Sequence, residues 1–265
     1  FRPARHRRRD TPAGSLGRVA GCPSHEARVN DAALVEFVGV VKQYQALRPL
    51  RLAALRVAPA SIVSVQGLDA LAAEVLVNLM TAAMRPDEGE VRLFGRPTHD
   101  IADYDAWLLM LDGLGLVTGR AVLLEQCTVA QNLALPLTLE IEPIRADVQL
   151  RVGVLADEVG IPRPALDTPV REAGPDVVQR VRLGRALALD PRLVVAEHPS
   201  ATLPRSDVER FARDLARVVS ARGAALLAIS ADREFTRALG GTTLTLDPRN
   251  GELSRPGLLA RLGLG

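Results

Sequence analysis

A short apolar run at 62–66 ends in Gly67, and from there to Gly95 the chain reads GLDALAAEVLVNLMTAAMRPDEGEVRLFG. A strand that stops at a glycine and runs straight into a helical pattern commits this stretch to an α/β layer, with helix and strand covering each other. The spacing is that of a phosphate-binding strand–loop–helix, G-x-x-x-x-G-K-[ST]. Laid on that pattern, the second glycine, the lysine and the hydroxyl fall on Ala72, Ala73 and Glu74, with Val75 next.

Those replacements remove the phosphate chemistry. Such a loop works because small residues let backbone amides face phosphate oxygens at the positive end of a helix. The lysine adds a charge-assisted bond and the hydroxyl holds magnesium. Ala73 supplies no charge, no basic residue lies between Arg56 and Arg85, and the single lysine of the chain is Lys42. A lost bond to a charged group costs roughly 1.5–3 kcal/mol. A like charge about 4 Å away adds up to roughly 4 kcal/mol at an effective dielectric of about 20. Together these predict triphosphate affinity lower by about three orders of magnitude. Two readings of Glu74 remain open: a good first-turn helix residue drawn to the helix N-terminus, or a metal ligand bridging to phosphate.

Charge divides the chain. The whole carries +2, yet residues 1–28 hold seven arginines against Asp10 and Glu26, which leaves −3 over 29–265. Residues 1–30 therefore read as a basic disordered arm. The arm suits a contact with anionic lipid or nucleic acid, a solvated tail, or an upstream extension before a start near Val29. The rest, 31–265, reads as one α/β domain. With 3% aromatic residues its core is aliphatic, and no apolar run approaches a membrane span of about 18 residues. Cys22 and Cys127 have no metal-site spacing and make no disulfide framework, which favours a reducing compartment. The folded part has no basic patch with interleaved aromatics, which argues against nucleic acid as its partner.

Strands are predicted at 34–38, 50–57, 62–66, 91–94, 114–117, 193–197, 225–229 and 242–246. The runs at 62, 193 and 225 are apolar on both faces, as buried parallel strands are. Helices are predicted at 72–84, 129–135, 146–159, 177–189 and 207–221. Capping-box spacing occurs at Thr128 with Gln131 and at Ser206 with Glu209.

The order of these landmarks resembles the ATP-binding cassette (ABC) transporter ATPases over about residues 33–253. Tyr44 falls where that family stacks an aromatic on adenine, or is a partly buried turn tyrosine. Gly119 takes the place of the Q-loop glutamine. The stretch from Leu123 to Leu137, LLEQCTVAQNLALPL, resembles the segment that contacts the membrane subunit. Ala173-Gly174-Pro175-Asp176 replaces the L-S-G-G signature; Pro175 removes an amide and Asp176 adds a negative charge. Arg180 and Arg185 match scaffold arginines and are expected in structural ion pairs. The Walker B strand LVVAEHPS puts Glu197 at the magnesium-associated Asp and His198 at the catalytic carboxylate. His198 reads as a cleft-edge residue or, alternatively, as a general base near neutral pH. Pro204 stands at the D-loop aspartate and Ala231 at the switch histidine.

The resemblance implies an α/β, P-loop NTPase-like fold: a mixed sheet with an antiparallel β flank and a helical subdomain at about 96–190. It implies a cytoplasmic subunit, peripheral to the inner face of the membrane. Its partners would be an ABC permease and a second ABC chain, in a homodimer or heterodimer. The lost motifs turn this toward a degenerate member: no catalytic residue, no resident cofactor, and a scaffold or regulatory role. Two alternatives accompany it. One is a residual ATPase using ATP and Mg2+ through Tyr44, Glu74, Glu197 and His198. The other is a soluble binding module unrelated to transport.

Overall fold

A computed structural model describes residues 33–101 and 103–255. The arginine-rich arm expected at 1–30 lies outside the described residues, as does Cys22.

Two sheets organise the described chain. A four-stranded antiparallel sheet has the order β2 (Leu50–Val57), β1 (Val35–Lys42), β4 (Glu88–Leu93), β5 (Arg96–Pro97). A six-stranded sheet has the order β10 (Leu253–Ser254), β9 (Thr242–Leu246), β3 (Ile62–Gln66), β8 (Ala225–Ile229), β7 (Leu193–Glu197), β6 (Leu114–Thr118). Its strands from β9 to β6 are parallel, and β10 closes one edge antiparallel. This is the expected mixed sheet with an antiparallel flank.

The apolar runs at 193 and 225 are central because both faces of the sheet are covered. Every residue of β7 and β8 is buried. Leu193, Val195, Leu227 and Ile229 face one apolar cluster, together with helix α1 (Ala70–Met80) and the inner side of the four-stranded sheet. Val194, Ala196, Leu226 and Ala228 face the other. That second layer holds α3 (Val129–Ala134), α4 (Ala146–Val159), α5 (Pro175–Leu187), α6 (Arg205–Ala221) and α7 (Arg233–Leu239). The alternation is the period-2 geometry of a strand.

Several boundaries differ from the sequence expectation. Helix α1 begins at Ala70, two residues early, and stops at Met80, where the Thr81 hydroxyl bonds back to the Val77 carbonyl at 3.1 Å. The capping box at Thr128 and Gln131 forms as expected. The one at Ser206 and Glu209 does not. Helix α6 starts at Arg205 behind an extended Pro204, which leaves Ser206 inside the helix. A helix α2 (Tyr104–Asp112) without a buried residue and the short α7 were not expected.

Candidate functional site

Parallel strands present their carboxyl ends to one edge, where open α/β sheets take ligands. Here that edge gathers Gly67 after β3, Gly119 and Arg120 after β6, His198 after β7 and Ala231 after β8. The structure thus brings together positions that lie far apart in sequence.

At the first of these, Gly67 has φ +89°, and a Cβ there would sit 2.8 Å from the Leu246 carbonyl oxygen. The tight exit from β3 therefore still requires glycine. Beyond Gly67 the chain forms no open loop. Helix α1 begins three residues later, with Asp69 as its N-cap. The Asp69 carboxylate accepts the Ala72 amide at 2.8 Å, and its carbonyl accepts the Ala73 amide at 2.9 Å. Ala72, Ala73 and Val75 are buried in the apolar cluster beneath the four-stranded sheet. Tyr44 is half-buried against the same cluster; burial raises its phenol pKa, and the negative charge of Asp69 raises it further.

Glu74 is on the second turn of α1, so attraction to the helix N-terminus is not what holds it. Its partner is Arg120, whose Nη1 lies 3.1 Å from Glu74 Oε1. The other arm of the same guanidinium donates to Glu197 Oε2 at 2.7 Å. Local geometry explains the reach. The β6–β7 ladder sets Thr118 beside Glu197, and the Thr118 hydroxyl accepts the Arg120 amide at 3.2 Å, turning the chain back over the strand ends. Gly119 has open space where a Cβ would be, so the place of a longer side chain is empty while Arg120 fills the centre. Glu197 is almost enclosed, its side chain 9% exposed, against about 40% for Arg120 and Glu74. Sequence reasoning missed Arg120. The signal for it was a cation two residues past a strand end, in a chain that had exchanged a hydroxyl for a carboxylate at Glu74.

His198 occupies the left-handed region at φ +43°, its amide donating to the Ile229 carbonyl at 2.8 Å. Its Nε2 is sealed from solvent and has no hydrogen-bond partner among the described residues. Ala231 is exposed and brings no polar side-chain atom to the edge. The next residue, Asp232, is engaged in structure. It caps α7 and accepts from Ser200 at 3.0 Å and Arg205 at 2.8 Å.

On the facing side, a cavity of about 540 Å³ is lined by Gly119, Arg120, Pro175, Arg182 and Thr202 among others, so the Q-loop and signature positions share it. Pro175 is the first residue of α5. Asp176 Oδ2 accepts from Arg180 at 2.9 Å and from Arg210 at 3.1 Å. Arg180 also pairs with Asp214 at 2.9 Å, as expected of a scaffold arginine. Arg185 instead donates to the Val122 carbonyl at 2.7 Å. Among the described residues, no group of three or more His, Cys, Asp or Glu side chains is arranged to hold a metal, and no helix is long and apolar enough to cross a membrane.

No family model matches the chain. Among curated proteins it is 26% identical over 216 residues to the methionine import ATP-binding protein MetN of Brucella abortus, covering 82% of this chain and 58% of that one. It is 26% identical over 195 residues to the lipoprotein-releasing system ATP-binding protein LolD of Geobacter metallireducens, covering 74% and 86%. The chain thus spans less than two thirds of the methionine importer protein. Among solved structures, it is similar to the dimeric ATP-binding cassette MJ0796 bound to ADP and phosphate, with a TM-score of 0.66 at 22% identity over 83% of this chain and 97% of that one. It is also similar to cbiO1 of Clostridium perfringens, with a TM-score of 0.70 at 13% identity over 88% and 91%. By relatives and fold alike, this chain is a homologue of the ABC transporter ATP-binding proteins, with the fold of their ATPase cassettes.

Proposed function

We propose that this chain is an ABC-type subunit whose nucleotide site has become structural, a pseudo-ATPase that acts as scaffold or regulator on a membrane permease. The observation that carries the reading is the start of α1. Amides that would face phosphate are spent on the helix itself, and the Asp69 carboxylate occupies the N-terminus that a phosphate would seek. Magnesium-triphosphate does not fit these residues: Ala73 is buried and uncharged, and a guanidinium already lies between Glu74 and Glu197. His198 supports the same view as far as its Nε2 is concerned, because a general base needs a path to water and that nitrogen is enclosed. At the signature position, Asp176 carries a charge of the wrong sign that two arginines hold in place.

The scaffold reading keeps residues 31–265 as one ABC-type domain, with a helical subdomain at about 96–190. The subunit sits on the cytoplasmic face and pairs with a second copy or another ABC subunit. A cavity of about 240 Å³, lined by Leu116, Leu123, Pro136, Arg185 and Leu189 among others, borders the stretch that resembles a permease-contact segment. The test is a thermal-shift titration with Mg-ATP to millimolar concentration, coupled to a phosphate-release assay. No stabilisation and no phosphate are expected; a dose-dependent rise in Tm with turnover returns the protein to the active ATPases.

A further inference from the structure

Glu74 on α1 and Glu197 at the end of β7 come from different elements and share one cation. Arg120 reaches both through separate nitrogens, Nη1 to Glu74 at 3.1 Å and Nη2 to Glu197 at 2.7 Å. Two carboxylates converging beyond the strand ends repel each other unless a positive charge lies between them. A hard divalent cation with carboxylate oxygen ligands supplies such a charge. A guanidinium supplies it too, without binding equilibrium or proton exchange, because it stays charged and its planar fork engages two acceptors at once. The open space at Gly119 and the turn held by Thr118 give the arginine a clear approach.

We propose that Arg120 is a tethered counter-ion that takes the place of a divalent cation between Glu74 and Glu197, so that removing its guanidinium turns the pair into a divalent-cation site. This deepens the pseudo-ATPase reading, on which it rests, by naming the group that fills the cation's place. It stands on the ion-pair geometry and involves no nucleotide. The arginine also ties the segment after β6 to α1 and β7, so the three elements keep one arrangement in the absence of ligand.

The probe is Mn2+, followed on the full chain by loss of the free-ion electron paramagnetic resonance signal, with no nucleotide present. Wild type is expected to bind Mn2+ weakly. Arg120→Ala is expected to bind one ion at least tenfold more tightly, and Glu197→Gln in that background to abolish the gain. Arg120→Gln, which keeps a planar donor without the charge, should behave as the alanine variant does and serves if the alanine variant is unfolded by circular dichroism. A folded variant with no gain over wild type overturns the proposal, and so does wild type binding as tightly as the variants. Because the readout contains no ATP, stabilisation of wild type by Mg-ATP would count against the pseudo-ATPase reading alone.

Discussion

The carboxylate of Asp69 accepts the backbone amide of Ala72 at 2.8 Å, closing the N-terminus of α1 with a charge from the chain itself. An N-cap of this kind satisfies an amide that would otherwise be free, and its negative charge meets the positive end of the helix. The same bond that stabilises α1 thus competes with any anion for that position.

Asp69→Ala is expected to lower stability by about 1 kcal/mol, the usual worth of an N-cap. Urea denaturation measures it. The variant should still show no stabilisation by Mg-ATP, since Ala73 and Arg120 are unchanged. A loss well under about 0.5 kcal/mol would mean that the cap is not a significant support of α1.

Ala73→Lys restores the residue type of the phosphate-binding pattern, yet it should fail to restore binding. Ala73 is fully buried within the apolar cluster that α1 shares with the four-stranded sheet. A lysine there overpacks the core at a cost of about 1–3 kcal/mol, with a desolvation penalty added unless its ammonium escapes. The expected result is a lower Tm and an unchanged response to Mg-ATP. A variant that is as stable as wild type and gains Tm with nucleotide would show that α1 reopens readily.

Much of the scaffold was legible because it is set by local apolar pattern. The runs at 62–66, 193–197 and 225–229 coincide with β3, β7 and β8, since a strand buried on both faces is dominated by apolar residues at successive positions. Helix α2 was missed because the apolar residues of YDAWLLMLD run on almost without interruption and mark no single face; Met110 packs on the core while Tyr104 and Leu109 are exposed. Helix α7 was short, although Asp232 before it was an N-cap signal. The candidate site was half legible. Absent groups such as the lysine at Ala73 are read from sequence directly. Arg120 acts through Glu197, 77 residues away, and depends on the parallel β6–β7 register, which no local pattern fixes.

Arg180 is a test of the retained scaffold. Its side chain is 2% exposed and donates to Asp176 and Asp214; burial opposes its charge, and the two carboxylates more than restore it, raising its pKa. Arg180→Met removes the cation and leaves both carboxylates with reduced compensation. A loss of about 3 kcal/mol is expected, at the low end for a broken buried pair because both aspartates keep some solvent. Chemical denaturation reads it, and a loss under about 1 kcal/mol would place this network among ordinary surface pairs.

Acid should act partly through Asp87. The Lys42 ammonium and then the Gln43 amide, both at 2.6 Å, hold its carboxyl below the ordinary aspartate value. A folded pKa below the unfolded one gives stability that is present above the unfolded value and lost as pH falls through the folded one. Asp87→Asn should therefore lower Tm at neutral pH and flatten its decline below about pH 4. Parallel Tm–pH curves for variant and wild type would show that this pair contributes nothing to the acid response.

The proposed docking stretch can be tested separately from the core that lies behind it. Within the stretch 123–137 Leu133 is fully buried, and a Cβ on Gly184 would meet it at 2.5 Å, so a charge at Leu133 would unfold the layer and report nothing about a partner. Leu124 in that stretch and Val122 and Leu139 flanking it, by contrast, are exposed at 41%, 76% and 89%. Charged substitutions at exposed sites change stability by roughly 0.5 kcal/mol or less, whereas a charge in a partner's apolar contact costs far more. Val122→Glu with Leu139→Glu should keep the Tm of the isolated chain and weaken co-purification with a co-expressed permease at least tenfold. Retained binding in this folded double variant would move the contact away from Val122 and Leu139, because a carboxylate buried at an apolar contact is not tolerated without a partner.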